Sequence, residues 1–355
     1  MDRSKVGVLG ATGLVGQRLV QRLASHPWFE LVALGASERS AGRQYADAAR
    51  WTLAEDPPEA AAGMRVVRCR PAELDACDLV FSALDARHAR EIEPSFAEAG
   101  FAVVSNSSAF RMEEDVPLLV PEVNGDQLSL LEHQRSRTGG GYVVTNPNCS
   151  TAGLALAAAP LHRAFGIRRL VVTTLQAVSG AGVDGPSALE LTDNVLPYIP
   201  GEEHKLECEL SKILGSVDGG RLKPDGVVVS AHCHRVGVLD GHLEAVSMEL
   251  ERSVAPEEAA ESLRGFRGES EARELPSSAA RPIVGREEPD RPQPRLDRST
   301  GDGMSVVVGR IRPCPVLGLK MELLSHNTVR GAAGGTLLNA ELLAARGLVP
   351  RRGGA

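Results

Sequence analysis

The apolar residues of this chain fall into two textures. In the first part they form short continuous runs: Lys5-Val6-Gly7-Val8-Leu9, Glu30-Leu31-Val32-Ala33-Leu34, Met64-Arg65-Val66-Val67, Leu79-Val80-Phe81-Ser82-Ala83 and Ala102-Val103-Val104-Ser105. Such runs suit the strands of a parallel sheet covered on both faces. Helical segments lie between them, as in Gln17 to Ala24 and Glu91 to Ala99. The pattern predicts a Rossmann-type, doubly wound parallel sheet over residues 1–148. After Thr151 the β-rich runs lengthen: Arg169 to Leu175, Gly226 to Ser230, Leu243 to Leu250 and Met304 to Arg312. Leu243 to Leu250 alternates, with apolar positions expected on one face and Glu and Ser on the other. That predicts an α+β domain over residues 149–330 with a largely antiparallel sheet and one exposed face. Residues 268–303, rich in Pro, Arg, Asp and Glu, read as a long extended loop. Gly331-Ala332-Ala333-Gly334-Gly335 opens an apolar helix to about Ala345, and the tail from Arg346 is expected to fray. There is no internal repeat.

Composition bounds the function classes. At 355 residues the chain has room for two domains and a full core. A hydrophobic fraction of 43% with 24% charged residues is that of an ordinary soluble globular protein. With 39 basic and 46 acidic side chains the net charge is −7, and no Lys/Arg block occurs, which argues against a nucleic-acid binder. The longest mostly apolar stretch, Ala152 to Leu161, is too short for a bilayer, which takes about 20 residues. The opening residues run straight into a strand-like segment with no leader pattern. The six cysteines, at 69, 77, 149, 208, 233 and 314, have neither Cys-x-x-Cys nor zinc-finger spacing. The expectation is a reduced, cytoplasmic protein with mostly buried thiols.

Gly10-Ala11-Thr12-Gly13-Leu14-Val15-Gly16 links the first strand to the first helix. Glycines at this junction let the backbone approach a pyrophosphate, whose charge then faces the free N–H groups of the helix start. Gly10, Thr12, Gly13, Leu14 and Val15 are therefore candidate dinucleotide contacts. After the second strand the sequence reads Gly35-Ala36-Ser37-Glu38-Arg39-Ser40. Ser37, Arg39 and Ser40 offer two hydroxyls and a guanidinium, a cradle for a 2′-phosphate, so the expected cofactor is NADP. Glu38 is a counter-signal unless it turns to solvent.

Thr145-Asn146-Pro147-Asn148-Cys149-Ser150-Thr151 places Cys149 at the start of an Ala/Leu-rich helix. A helix N-terminus lowers a thiol pKa, and its N–H groups stabilise an oxyanion on an attached carbonyl. The other five cysteines read as small core residues. A dinucleotide domain leading into a nucleophilic Cys suits chemistry in which an acyl group is held as a thioester while hydride is transferred.

These stretches, together with Ser105-Asn106-Ser107-Ser108-Ala109-Phe110-Arg111-Met112, Val120-Pro121-Glu122-Val123-Asn124, Gln176-Ala177-Val178-Ser179-Gly180-Ala181-Gly182, Asn194 to Ile199, Asp240-Gly241-His242 and Asn327 to Gly334, resemble the aspartate-β-semialdehyde dehydrogenases, in particular their archaeal/fungal-type branch. The resemblance runs nearly the whole chain. It implies that cysteine attacks an aminoacyl phosphate, phosphate leaves, and NADPH reduces the thioester to an aldehyde. By matching motif, Cys149 is the expected nucleophile, Gln176 orients the acyl group and His242 is the acid/base. Arg235 matches the carboxylate-binding arginine. Glu202 and Lys205 match a Glu-x-x-Lys pattern for the substrate ammonium and phosphate, with a solvated surface ion pair as the rival reading. Asn106 and Arg111 match the loop for inorganic phosphate. Ser179, Gly180 and Asn327 are expected on the cofactor, Asn327 toward the nicotinamide, and the helix from Gly331 (331–355) is expected to complete the first domain. The resemblance further implies a cytoplasmic homodimer or homotetramer, with residues 149–330 as catalytic and dimerisation domain and residues 280–300 as possible interface.

Three positions depart from the pattern. His234 and Gly237 stand where Asn and Pro are expected, and Leu243 replaces a Thr after His242. They put substrate preference in doubt more than the chemistry. A relative acting on a malonyl thioester or an N-acylated glutamyl phosphate, and an NADP(H)-binding regulator with a vestigial site, are the alternative readings. His232 and His234 share a strand face without nearby carboxylates, so no metal site is expected.

Overall fold

The computed structural model describes residues 3–183 and 185–351. The first sheet contains β1 (Ser4–Leu9), β2 (Phe29–Ala36), β3 (Val66–Arg68), β4 (Leu79–Ser82), β5 (Ala102–Ser105) and β6 (Tyr142–Thr145), all parallel, in the order β3-β2-β1-β4-β5-β6. Strand order reverses between β1 and β4, and ligand crevices form outside the carboxyl ends of strands at such a point. The strands are buried because both faces are covered. Leu19, Leu23 and Leu338 belong to the cluster on one side, and Phe96, Phe101 and Val143 to that on the other.

Two helices of this layer start where local chemistry dictates. Helix α1 (Leu14–Leu23) begins three residues earlier than the periodicity suggests, so Gly16 lies inside it. Helix α2 (Ala86–Glu98) is capped by Asp85, whose carboxylate accepts from Arg87 and His88 N–H.

The second sheet is mixed. It comprises β7 (Ile167–Gln176), β10 (Val228–Arg235), β11 (His242–Leu250), β12 (Ile283–Arg286), β13 (Val306–Cys314) and β14 (Gly318–Ser325), ordered β10-β7-β11-β14-β13-β12. The inner pairs are antiparallel, while β10 with β7 and β12 with β13 are parallel. A separate hairpin joins β8 (Ser216–Asp218) to β9 (Arg221–Lys223). Helices α3 (Cys149–Phe165) and α4 (Glu202–Leu214) pack on one face of the second sheet. The other face carries Val171, Leu175 and Val228, all exposed.

Three expectations need correction. On β11, Glu244 does not share the outward face: it is fully buried with Val246 and Met248, while Leu243 and Ala245 point outward. Burial pushes its carboxyl well above the usual carboxylate range, and neither oxygen has a hydrogen-bond partner among the described residues. Residues 268–303 are not a plain loop. They contain β12 and a short helix Pro294–Asp297, organised by the buried Asp297 carboxylate, which meets Arg286 and Arg291. Arg346, where the tail was expected to start fraying, is held: its guanidinium meets Glu271 at 2.8 Å and donates to Gly125 O at 2.7 Å, while residues 352–355 of that tail lie outside the described residues.

The C-terminal segment returns to the first sheet through a π-turn, Val329–Ala333, followed by α5 (Gly334–Ala345). Arg330, in that turn, forms a bidentate pair with Glu122 at 2.5 and 2.8 Å, both side chains 2% exposed. Breaking a buried pair from one side leaves an uncompensated charge. Arg330→Met is expected to cost ~3–5 kcal/mol, read as a lower urea midpoint. Adding Glu122→Leu should recover part of it; an unchanged midpoint in the single variant would show that the pair does not hold this segment.

Candidate active site

The nucleophile candidate is placed by a cap. The Asn148 side-chain oxygen accepts from the backbone N–H of Ser150 and Thr151, at 3.0 and 3.3 Å, and so starts α3 at Cys149. Cys149 lines a cleft of about 600 Å³ that runs past Gly13 and Leu14 at one end and Asn106, Lys205 and Asn327 at the other. The C-terminal segment crosses close behind it. A Cβ on Gly331 would lie 2.7 Å from Cys149 Cα, so only glycine fits there.

His242, the first residue of β11, is fully buried, with Nε2 3.2 Å from Cys149 Sγ. Its other nitrogen, Nδ1, accepts from Ala177 N–H at 3.0 Å. A backbone amide can only donate, so the neutral ring carries its proton on Nε2, facing the sulfur. Burial, reinforced by Arg235, pushes the imidazole pKa down to about 3, and the ring is neutral at working pH.

The thiol differs from expectation. The helix start was expected to depress its pKa, but burial first and the Glu202 carboxylate second push it up to about 12, against the pull of Arg235, Arg111 and Lys205. The first-turn N–H groups that would favour a thiolate already donate to Asn148.

Charged partners gather around this pair. Lys205 meets Glu202 at 2.6 Å, on one face of α4 as the i, i+3 spacing predicts. This is not a solvated surface pair: Glu202 is buried and also accepts from Asn148 Nδ2 at 2.8 Å and Gln176 Nε2 at 3.3 Å. Gln176, at the end of β7, is buried beside it. Arg235 ends β10 next to Gln176, is buried, and donates to Ala177 O at 2.7 Å. A Cβ on Gly180 would lie 2.8 Å from Arg235 Nη1 and 3.1 Å from His242 Cε1, so the Gly180 backbone passes directly over both. On the opposite wall Arg111 donates to Glu209 and to Asn106 O. Arg111 Nε and Asn106 Nδ2 are buried donors with no acceptor among the described residues, a pair that an anion in the cleft would satisfy.

The cofactor candidates divide. Gly13, Leu14 and Val15 line the cleft, as do Ser179, Gly180 and Asn327. Asn327 donates to Ser179 Oγ at 2.8 Å and accepts from Gly241 N–H at 2.8 Å. Gly10 makes the turn with φ +74°, and Thr12 contributes its carbonyl to Gln17. Ser37 and Arg39 are exposed at the end of β2, and Ser40 is buried. The counter-signal is turned aside, because Glu38 pairs with Arg70 at 2.9 Å.

The three departures do not gather on the nucleophile. His234 and Leu243 both sit beside Leu175 in the register, on the outward face of the second sheet, while Arg235 and His242 face inward. His232 shares that outward face, as the alternation predicts. Gly237 is in an exposed turn.

Sequence reading missed Glu209, Ala177 and Gly331. Glu209 carries no local signal beyond its seven-residue spacing from Glu202. Ala177 acts through its backbone, and Gly331 through the absence of a side chain. Two measurements follow. Alkylation of Cys149 by iodoacetamide in the free protein should rise about tenfold per pH unit from pH 7 to 9 without a plateau, since the thiolate fraction grows in that proportion below the pKa; a plateau near pH 7 would show a depressed thiol. Gly331→Ala should lower turnover at least ~10-fold by displacing the nucleophile, and turnover equal to the parent would show that the close approach is not needed.

Comparison with known proteins agrees with this geometry. Residues 5–131 match the family model for the semialdehyde dehydrogenase NAD binding domain, and residues 158–330 the model for the semialdehyde dehydrogenase dimerisation domain. The chain is 51% identical to an aspartate-semialdehyde dehydrogenase of Archaeoglobus fulgidus over 342 residues, 96% of this chain and 98% of the relative. It is 45% identical to that of Saccharomyces cerevisiae over 358 residues, 97% and 98% of the two chains. The crystal structure of the Candida albicans aspartate-semialdehyde dehydrogenase with NADP superposes with a TM-score of 0.90 at 45% identity, covering 98% of this chain and all of the other. With a cysteine at a capped helix start, an imidazole and a switch-point crevice in one cleft, and with archaeal and fungal relatives along nearly its whole length, the chain belongs to the aspartate-semialdehyde dehydrogenase family.

Proposed function

We propose that this chain catalyses the reversible, NADPH-dependent reductive dephosphorylation of L-aspartyl-4-phosphate to L-aspartate-4-semialdehyde through a thioester on Cys149. The observation that carries the reading is the 3.2 Å contact of Cys149 Sγ with His242 Nε2 at the wall of the switch-point cleft.

The cleft fits NADP on grounds of its own. Helix α1 starts at Gly13 with no side-chain cap and no acidic residue in its first turn, leaving N–H groups free for a pyrophosphate. Gly10, Thr12, Gly13, Leu14 and Val15 hold that end, Ser37, Arg39 and Ser40 the 2′-phosphate, and Ser179, Gly180 and Asn327 the nicotinamide end. When bound, the reduced cofactor supplies the hydride for the thioester carbon.

The chain's own residues do the rest. Arg235 grips the substrate carboxylate, Glu202 meets the ammonium, and Lys205, Arg111 and Asn106 hold the phosphate. Gln176 orients the acyl group over Cys149. Sγ attacks the acyl carbon, the S–C bond forms, the carbon–oxygen bond to phosphate breaks, and the thiol proton leaves on the departing phosphate as hydrogen phosphate. The proton on His242 Nε2, which faces the sulfur at rest, stabilises the carbon's oxygen as it becomes negative; a solvent proton completes the hemithioacetal hydroxyl after hydride addition, and that proton passes to the sulfur on collapse to aldehyde and thiol. Buried Glu202, held by Lys205, keeps the site close to neutral until the anionic substrate arrives.

Residues 1–148 with 331–355 form the NADP domain in this reading, and residues 149–330 the catalytic and dimerisation domain. A second copy of the chain covers the outward face of the second sheet, where Val171, Leu175 and Val228 are exposed and His234 Nδ1 is buried without a partner among the described residues. The enzyme is a homodimer or homotetramer. Six free cysteines suit a reducing compartment, the cytoplasm.

Phosphate-dependent reduction of NADP with aspartate semialdehyde tests the reaction, with acyl thioesters and N-acylated analogues as competitors. Cys149→Ser should lose turnover and still bind NADP. Arg39→Ala should raise the KM for NADP roughly 10-fold while leaving kcat within about twofold, the pattern of a lost ground-state contact. Equal turnover with NAD and NADP in the parent would overturn the cofactor assignment.

A further inference from the structure

One face of α4 repeats a charged residue at 202, 205, 209 and 212, spacings that stack side chains along a helix. The first two belong to the substrate site already described. The second two reach elsewhere. Glu209 is 1% exposed and divides its carboxylate between two walls of the cleft. One oxygen accepts from Arg111 Nη1 at 2.9 Å, and the other accepts from the backbone N–H of Asn148 at 2.6 Å. Asn148 is the residue that caps α3 and so fixes Cys149. Lys212 then ties down the loop that carries Arg111, donating to the carbonyls of Arg111, Glu113 and Val116 at 2.6, 2.6 and 2.8 Å.

We propose that Glu209 is a positioning residue that sets the anion-gripping guanidinium of Arg111 in register with the nucleophile Cys149. A single carboxylate bridges the two groups that must act on neighbouring atoms of one substrate, the phosphate oxygens and the acyl carbon. Arg111 gives one N–H of Nη1 to Glu209 and one of Nη2 to Asn106 O, and its buried Nε has no acceptor among the described residues. The pairing therefore fixes the plane of the guanidinium and leaves three of its five N–H groups to offer. Without the carboxylate the guanidinium would turn toward other acceptors. The inference rests on the reading that Arg111 meets the phosphate.

The test runs in the oxidative direction, where inorganic phosphate is a substrate with its own KM. In Glu209→Gln the amide oxygen still accepts from Asn148 N–H, but the amide nitrogen faces Arg111, donor against donor. The KM for phosphate should rise at least ~10-fold, with the KM for NADP within about twofold. In the double variant Arg111→Ala/Glu209→Gln the KM for phosphate should be no worse than in Arg111→Ala alone, because the effect passes through Arg111. Glu209→Asp, which keeps the charge and shortens the reach, should raise the same KM and serves if the amide variant does not fold. An unchanged phosphate KM in a folded Glu209 variant, or additive effects in the double variant, overturns the proposal alone. An unchanged phosphate KM in Arg111→Ala overturns the placement of Arg111 at the phosphate as well, and separates the two failures.

Discussion

The site depends on how one asparagine is held. Asn148 spends its side-chain oxygen on the first turn of α3, its side-chain amide on Glu202 and its backbone N–H on Glu209. A cap of this kind stabilises a helix start by roughly 1 kcal/mol, and hydrogen bonds to a carboxylate are about twice as strong as neutral ones. The turn before Cys149 is therefore pinned to α4 at two places about two turns apart on one face. The sulfur inherits that fixed position, and the imidazole reaches it from the second sheet with its tautomer already chosen by Ala177 N–H.

Holding Cys149 so firmly at this place has an electrostatic consequence. Burial outweighs the surrounding cations, so the resting sulfur is a thiol and the neighbouring ring is neutral. No thiolate–imidazolium pair stands ready in the cleft. The cations Arg111, Lys205 and Arg235 are offset by Glu202 and Glu209, while two donors, Arg111 Nε and Asn106 Nδ2, meet no acceptor among the described residues. A site arranged in this way is tuned to the charge of its substrate more than to the reactivity of its own resting groups.

The two sheets meet at this point because the chain returns to it. The π-turn at Val329–Ala333 brings Gly331 against Cys149 and Arg330 into the Glu122 carboxylate. Irregular turns of this type often mark functional positions, where a regular helix would misplace the backbone by one residue. Here it lets the last helix of the chain pack on the first sheet while its entry forms the floor behind the nucleophile.

Much of this was legible in the residues. Short apolar runs gave all five named strands of the parallel sheet, since a strand covered on both faces must be apolar throughout. The Asn-Pro-Asn-Cys turn and the Ala/Leu run after it placed Cys149 at a helix start from local chemistry alone. The spacing of Glu202 and Lys205 put them on one helix face. Other features depend on which segments meet. The inward turn of Glu244 was hidden because alternation gives two faces and not which one is covered. The raised thiol pKa required knowing that Asn148 would consume the helix N–H groups, that the Glu202 charge would lie near the sulfur and that folding would desolvate it. His234 and Leu243 looked like pocket changes until the register put them beside Leu175, on the far side of the sheet. Thus the sequence by itself determined the elements and the chemical kinds of group available, because these follow from periodicity and residue type. Burial, charge pairing and the joining of Glu209 to Arg111 and Asn148 were decided only by the tertiary structure, because desolvation and Coulomb energies depend on distances between residues far apart in the chain.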